Sequence, residues 1–110
     1  MMNQTSANDY VSISAQEAKK IMDTESGYVI VDVRNQDEYD GGHIPNARLV
    51  PLPLLQDIAV EKLPDKSQLL LVYCRSGVRS KKAASILVSL GYTNIKEFGG
   101  IIDWPYEVVK

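Results

Sequence analysis

The sequence predicts an α/β domain built on a mainly parallel sheet, and three observations carry that prediction. Two runs, YVIVDV at residues 28–33 and QLLLVY at residues 68–73, are almost wholly apolar and rich in Val, Ile and Leu. Strands buried on both faces read this way, and parallel sheets with helices above and below bury them so. Stretches of helical periodicity alternate with strand-like stretches along the chain, the pattern of α/β architecture. Finally, 110 residues suffice for one domain and are too few for two ordinary ones. A chain of that length buries roughly 65% of its unfolded surface, enough for a core of its own.

The elements come in the following order. Residues 1–9 are polar with little to bury and are expected to form a flexible lead-in, with the domain proper over residues 10–110. Residues 10–13 suit a short edge strand. Ser14 opens SAQE, a capping box in which Ser14 caps the amide of Glu17 and Glu17 reaches back. Ala15, Ala18, Ile21 and Met22 then recur at helical spacing, and Gly27 supplies a stop. After the 28–33 strand, Asn35 caps a short helical turn through Tyr39 that ends at Gly41 and Gly42. GHIPNA leads into a brief strand at residues 48–50. Pro51 and Pro53 open a helix whose apolar members are Leu54, Leu55, Ile58, Ala59 and Leu63. Pro64, Asp65 and Lys66 turn the chain into the 68–73 strand. Ala83, Ala84, Ile86, Leu87 and Leu90 form one face of the next helix, with Gly91 as its C-terminal cap. Residues 93–98 make a last strand, and Pro105 cuts short any closing helix.

Composition excludes several classes of function. Twelve basic against fourteen acidic side chains give a net charge of −2, which does not suit a general nucleic-acid binder. No apolar stretch is long enough to span a bilayer, so no membrane partner is expected. Cys74 is the one cysteine and His43 the one histidine, so neither an internal disulfide nor a structural zinc site is available. The amino terminus lacks the basic-then-apolar layout of a secretion signal, and a reducing, cytoplasmic setting is the expectation.

Ligands of parallel sheets sit beyond the carboxyl ends of the strands. The loop after Tyr73 reads CRSGVRS, residues 74–80. Cys74 ends a buried strand, Ser80 lies near the start of a helix, and Gly77 supplies the backbone freedom for the sharp turn between them. Such a loop aims successive N–H groups inward as an anion nest, and the following helix adds the positive end of its dipole. Arg75 and Arg79 add full charges. All of these terms favour thiolate over thiol, so the pKa of Cys74 is predicted to be depressed and its thiol reactive rather than inert. His43, followed by Ile-Pro in a turn, reads as structural, which leaves no histidine base. A cysteine activated by amides, dipole and arginines suits small oxyanions: phosphate, arsenate or thiosulfate. Cysteine phosphatases resemble one another in placing five residues between Cys and Arg. Here four separate Cys74 from Arg79, and the phosphatase position holds Ser80. The tighter ring suits the single extra sulfur of a persulfide.

Four blocks in register then resemble the rhodanese family: VDVR at residues 31–34, GHIPNA at 42–47, the loop CRSGVRS, and the closing GGIIDW at 99–104. The resemblance spans about residues 11–104. It implies the three-layer rhodanese-like fold, a five-stranded, mainly parallel sheet flanked by helices on both faces. It also implies a thiosulfate sulfurtransferase, an enzyme that needs no cofactor or metal. Cys74 would be the nucleophile that takes sulfur from thiosulfate or a similar small donor and passes it to cyanide or a thiol. The amides from Arg75 through Ser76, Gly77, Val78, Arg79 and Ser80 would stabilise the sulfur anion, and Arg75 and Arg79 would guide and hold the donor. Asp32 and Arg34 match the family's strand-end pair and would brace the pocket. An alternative is a sulfur-relay or regulatory module of the same fold that passes sulfur to a protein partner. The sequence departs from the family pattern at Asn46, which stands where a second glycine is usual and tolerates the same left-handed backbone, and in having no lysine in the loop.

Overall fold

The computed structural model of the chain describes residues 9–110, so the expected lead-in falls, apart from Asp9, outside the described residues. Five strands, β1 (Val11–Ser12), β2 (Val29–Asp32), β3 (Arg48–Leu49), β4 (Leu70–Cys74) and β5 (Ile95–Gly100), form one sheet in the order β1-β5-β4-β2-β3. Every pairing is parallel. Helices α1 (Ala15–Thr24), α2 (Gln36–Asp40), α3 (Leu55–Lys62) and α4 (Val78–Ser89) make the connections. The expected three-layer architecture is therefore the observed one.

Alternation along the strands distributes side chains between two cores. Val29, Val31, Val33, Leu70, Val72, Cys74 and Ile95 face α3 and α4, meeting Leu55, Ala59, Leu63, Ala83, Ala84 and Leu87. Ile30, Leu71, Tyr73 and Phe98 face the other way, onto Ala18 and Ile21 of α1 and onto Ile44 and Trp104. The four residues of β2 and the five of β4 are all buried, as central parallel strands require.

Local chemistry fixes most boundaries. Ser14 Oγ accepts the Glu17 amide at 3.0 Å, and Glu17 Oε1 accepts the Ser14 amide at 2.9 Å, so the predicted capping box starts α1. Asn35 precedes α2, and its amide donates to Glu38 Oε1 at 3.0 Å. Asn46 adopts φ +70, the left-handed conformation its residue type allows. Gly91, at φ +99, follows the end of α4.

Two expectations need correction. Leu54 is not on the buried face of its helix but 49% exposed: residues Leu52–Leu54 form a 3-10 turn after Pro51, and α3 starts only at Leu55. The last strand runs to Gly100 rather than stopping at Phe98, because β5 bulges. Val72 pairs with Glu97 while Cys74 pairs with Gly100, so two steps on β4 match three on β5. Such a bulge bends a strand and re-aims the residues beyond it. Here it carries Gly99 and Gly100 beneath the loop that leaves β4.

Tyr92 joins α3 to the turn after α4: its buried hydroxyl lies 3.0 Å from the Ala59 carbonyl and 2.6 Å from that of Leu63. Tyr92→Phe leaves these carbonyls without that donor and is expected to destabilise the fold by about 1–2 kcal/mol. A urea midpoint unchanged from wild type would show that the hydroxyl contributes nothing.

Candidate active site

β4 is the middle strand of the sheet, and the chain leaves β4 and β2 in opposite lateral directions. From β2 it passes to β3 on one side; from β4 it passes through α4 to β5 on the other. The crevice beyond such a divergence is where α/β sheets bind ligands. Cys74 is the last residue of β4, and α4 begins at Val78.

The turn between them depends on two glycines. Gly77 has φ +106 and sits at the N-terminal boundary of α4, a conformation that a side chain would strain. Gly100 lies under the turn: a Cβ there would overlap the Arg75 carbonyl and the Ser76 Cα. The Arg75 carbonyl also accepts the Ile102 amide at 3.2 Å. The closing Gly-Gly segment is thus a support for the loop from below.

Cys74 is fully buried, and its Sγ accepts the Gly77 amide at 3.0 Å. Burial pushes its thiol pKa up. The Ser80 hydroxyl and the amides of Ser80, Gly77 and Ser76 outweigh that, and the balance lies below the ordinary thiol value. The arrangement is built to favour an anionic sulfur, the predicted direction.

The other candidate residues divide into distinct roles. Ser76 and Gly77 turn their amides to the sulfur, while Arg75 and Val78 are exposed. Among the described residues Arg75 makes no ion pair. Arg79 does not stand free: its two terminal nitrogens hold the carboxylate of Glu38, at 2.7 and 2.9 Å, across the mouth of the crevice. That fork lowers the Glu38 pKa to about 2. Ser80 is fully buried 3.5 Å from Sγ.

Asp32 and Arg34 form a buried ion pair at 2.7 Å at the end of β2. Asp32 also accepts the Tyr73 hydroxyl at 2.6 Å, and Arg34 donates to the Gly42 carbonyl at 2.8 Å. Tyr73 in turn accepts the Ile44 amide at 3.1 Å. Burial beside Asp32 pushes the Tyr73 hydroxyl pKa up. This network ties the GHIPNA turn to the sheet. His43 stacks on Tyr39 with ring centroids 3.7 Å apart, and its Nδ1 lies 2.9 Å from the Tyr39 carbonyl, a structural placement.

Three contributors are not evident from the sequence. Glu38 pairs with Arg79 across 41 residues of sequence. Glu97 is fully buried on β5 and bonds Ser80. Lys81, in the first turn of α4, brings its Nζ to 3.4 Å from Glu97 Oε1, so a lysine does lie against the loop's support. Glu97 left one visible signal: in the predicted 93–98 strand it lies two residues after Ile95 and so shares that residue's face.

Cys74 thus ends the central strand of a parallel α/β sheet and faces the amides of a loop that opens a helix. The model of the rhodanese-like domain family matches residues 14–105, and the chain belongs to that family. Thiosulfate sulfurtransferase 18 of Arabidopsis thaliana is 33% identical over 108 residues, covering 87% of this chain and 78% of the relative. The solved structure of a "rhodanese with anions from E. coli" is 32% identical with a TM-score of 0.70, covering 76% of this chain and 98% of that one. A tRNA uridine(34) hydroxylase of Erwinia tasmaniensis is 35% identical over 97 residues, which cover 84% of this chain and 27% of the hydroxylase.

The Glu38–Arg79 bridge makes a pH-dependent contribution to stability. Because folding lowers the Glu38 pKa from 4.5 to about 2, the contribution is complete above pH 4.5 and disappears as pH falls towards 2. Glu38→Gln is therefore expected to be less stable than wild type at neutral pH, with the gap closing over that acid window. A gap in denaturant stability that stayed constant from pH 5 to pH 2 would contradict this.

Proposed function

We propose that the protein is a sulfurtransferase that carries sulfane sulfur as a persulfide on Cys74. The observation that supports this most directly is the Cys74 Sγ in contact with inward-facing amides at the end of the central strand. The relative named a thiosulfate sulfurtransferase supports thiosulfate, or a donor like it, as the source of sulfur. The Cys74 thiolate attacks the outer sulfur of thiosulfate, a new S–S bond forms, the bond to the sulfonate sulfur breaks, and sulfite leaves with that electron pair. The amides hold the resulting terminal sulfur anion, an electrostatic role of the oxyanion-hole kind. Cyanide or a thiol then takes the outer sulfur and restores the Cys74 thiolate. No cofactor enters the scheme. The whole domain, residues 10–110, serves it, and a reducing compartment such as the cytoplasm keeps the lone thiol available.

A second reading, relay of sulfur to a protein acceptor, has one observation in its favour. Val78 is 73% exposed at the start of α4, and Ile102, which packs its backbone on Arg75, is 58% exposed. Two apolar side chains flanking the loop suit contact with a protein surface. An acceptor protein that discharges the persulfide much faster than cyanide would favour relay. The chain matches only 27% of the hydroxylase relative, so hydroxylation is not carried over.

Intact-protein mass after brief incubation with thiosulfate is expected to rise by one sulfur atom. The gain is expected to be lost on adding cyanide and absent in Cys74→Ser. No gain in the wild type would exclude thiosulfate as donor, and a gain in Cys74→Ser would exclude Cys74 as carrier. Arg79→Ala is expected to raise the donor KM more than it lowers kcat, the signature of lost uniform anion binding; an unchanged KM would assign Arg79 to the Glu38 bridge alone.

A further inference from the structure

Ser80 Oγ stands at a crossing of four contacts with one proton to give. It lies 2.6 Å from Glu97 Oε2, 3.0 Å from the Gly77 carbonyl, 3.4 Å from the Gly99 carbonyl and 3.5 Å from Cys74 Sγ. The carboxylate is the nearest acceptor and the strongest, since hydrogen bonds to ionised acceptors are shorter and roughly twice as strong as neutral ones. With its proton committed to Glu97, Ser80 meets Cys74 as an acceptor, and the thiol S–H points at Ser80. A continuous chain of donors results: Sγ–H to Ser80 Oγ, and Ser80 O–H to Glu97 Oε2.

Glu97 is held for this part. Its Oε2 also accepts the Gly99 amide at 2.8 Å, so the carboxylate closes the β5 bulge. Its Oε1 accepts the Ser12 hydroxyl of β1 at 2.9 Å and lies 3.4 Å from Lys81 of α4. The cations near the pair are thus Lys81 on Glu97 and Arg79 close to Cys74, itself occupied by Glu38. A purely structural plug at this inward position needs no carboxylate; an apolar side chain fills such a place without the cost of burying charge.

We infer that Glu97 is a positioning residue of the sulfur site, which through Ser80 takes up the thiol proton and so leaves the Cys74 thiolate that attacks. The inference rests on Cys74 as the nucleophile. The thiol proton passes to Ser80 Oγ while the Ser80 proton passes to Glu97, and the thiolate so formed, now accepting from the Ser80 hydroxyl, attacks the donor sulfur as sulfite leaves with the electron pair of the broken S–S bond. The persulfide carries the charge that Glu97 gave up. When an acceptor removes the outer sulfur, the proton returns by the same path. Glu97 thus supplies the proton acceptor that the absence of a histidine base leaves open.

The test is the pH titration of Cys74 followed by ultraviolet thiolate absorbance, with Cys74→Ser as the blank for the tyrosines. It needs no sulfur donor, so it stands or falls apart from the sulfur-transfer reading. Glu97→Gln keeps the shape but removes the facing charge and loosens the claim on the Ser80 proton. It is expected to lower the Cys74 midpoint by about one pH unit. In a Ser80→Ala background the same replacement is expected to move the midpoint by less than half as much, the non-additivity of a route through Ser80. If Glu97→Gln fails to fold, Glu97→Asp keeps the charge and draws the oxygens back from Ser80, and a smaller downward shift is expected. An unchanged or raised midpoint in the variant that folds, or equal shifts with and without Ser80, would overturn the inference; a loss of thermal stability alone would not support it.

Discussion

The site depends on the difficulty of keeping negative charge on a sulfur atom that water does not reach. Burial of an ionised group in a packed interior is prohibitive unless hydrogen-bond donors replace the lost solvent. Cys74 shows no accessible surface, so those donors must come from the chain itself. They come mainly from backbone amides, which have no side-chain freedom to lose and are aimed by the fold. Much of the local architecture results from aiming them: Gly77 in a left-handed conformation so that its amide reaches Sγ, and α4 starting at Val78 so that its first turn points at the same place. Gly100 has no side chain, so the next strand can pass directly beneath the turn.

Two networks brace the frame around that loop. At the end of β2, Asp32, Arg34 and Tyr73 satisfy one another and fasten the turn at Gly42 and Ile44, leaving a buried polar cluster with its principal groups partnered. Such a cluster is rigid because each group would be costly to leave unmade. At the rim, Glu38 and Arg79 link the first turns of α2 and α4 across the divergence of β2 and β4. This pair is only partly buried, so its worth lies in fixed bidentate geometry between two helices more than in Coulomb energy. Arg79 is therefore a girder as well as a charge.

The sheet was legible because buried parallel strands and capped helices leave local signatures. YVIVDV and QLLLVY show their burial in composition, and Ser14, Asn46 and Gly91 announce their backbone roles by residue type. Cys74 was legible too, since a cysteine, a glycine and two arginines fall within one loop. What lay hidden were pairings between distant segments. Glu38 meets Arg79 at a separation of 41 residues, and Glu97 meets Ser80 at 17. No periodicity records either meeting. The bulge in β5 was equally silent, because one extra residue shows only against the partner strand. Leu54 misled for a local reason: after Pro51 the chain takes a 3-10 turn, and the helical wheel has to be counted from Leu55.

The charges around Cys74 are mostly matched within the fold. Arg79 is bound by Glu38, Lys81 leans on Glu97, and Arg34 is closed on Asp32; Arg75 is exposed and makes no ion pair among the described residues. An anion entering the loop meets aimed amides and the first turn of α4 more than free cations. Fixed amides need no reorganisation when charge arrives, whereas a solvated side-chain cation contributes little in high dielectric. Attraction by net charge alone would admit any anion of the right sign. The amides of Ser76, Gly77 and Ser80 instead offer hydrogen bonds in fixed directions around one sulfur position. The proposed persulfide places its outer sulfur next to those donors, and the Cys74-to-Arg79 spacing, one residue shorter than the Cys-to-Arg spacing of cysteine phosphatases, fits the smaller cargo better than a tetrahedral phosphate.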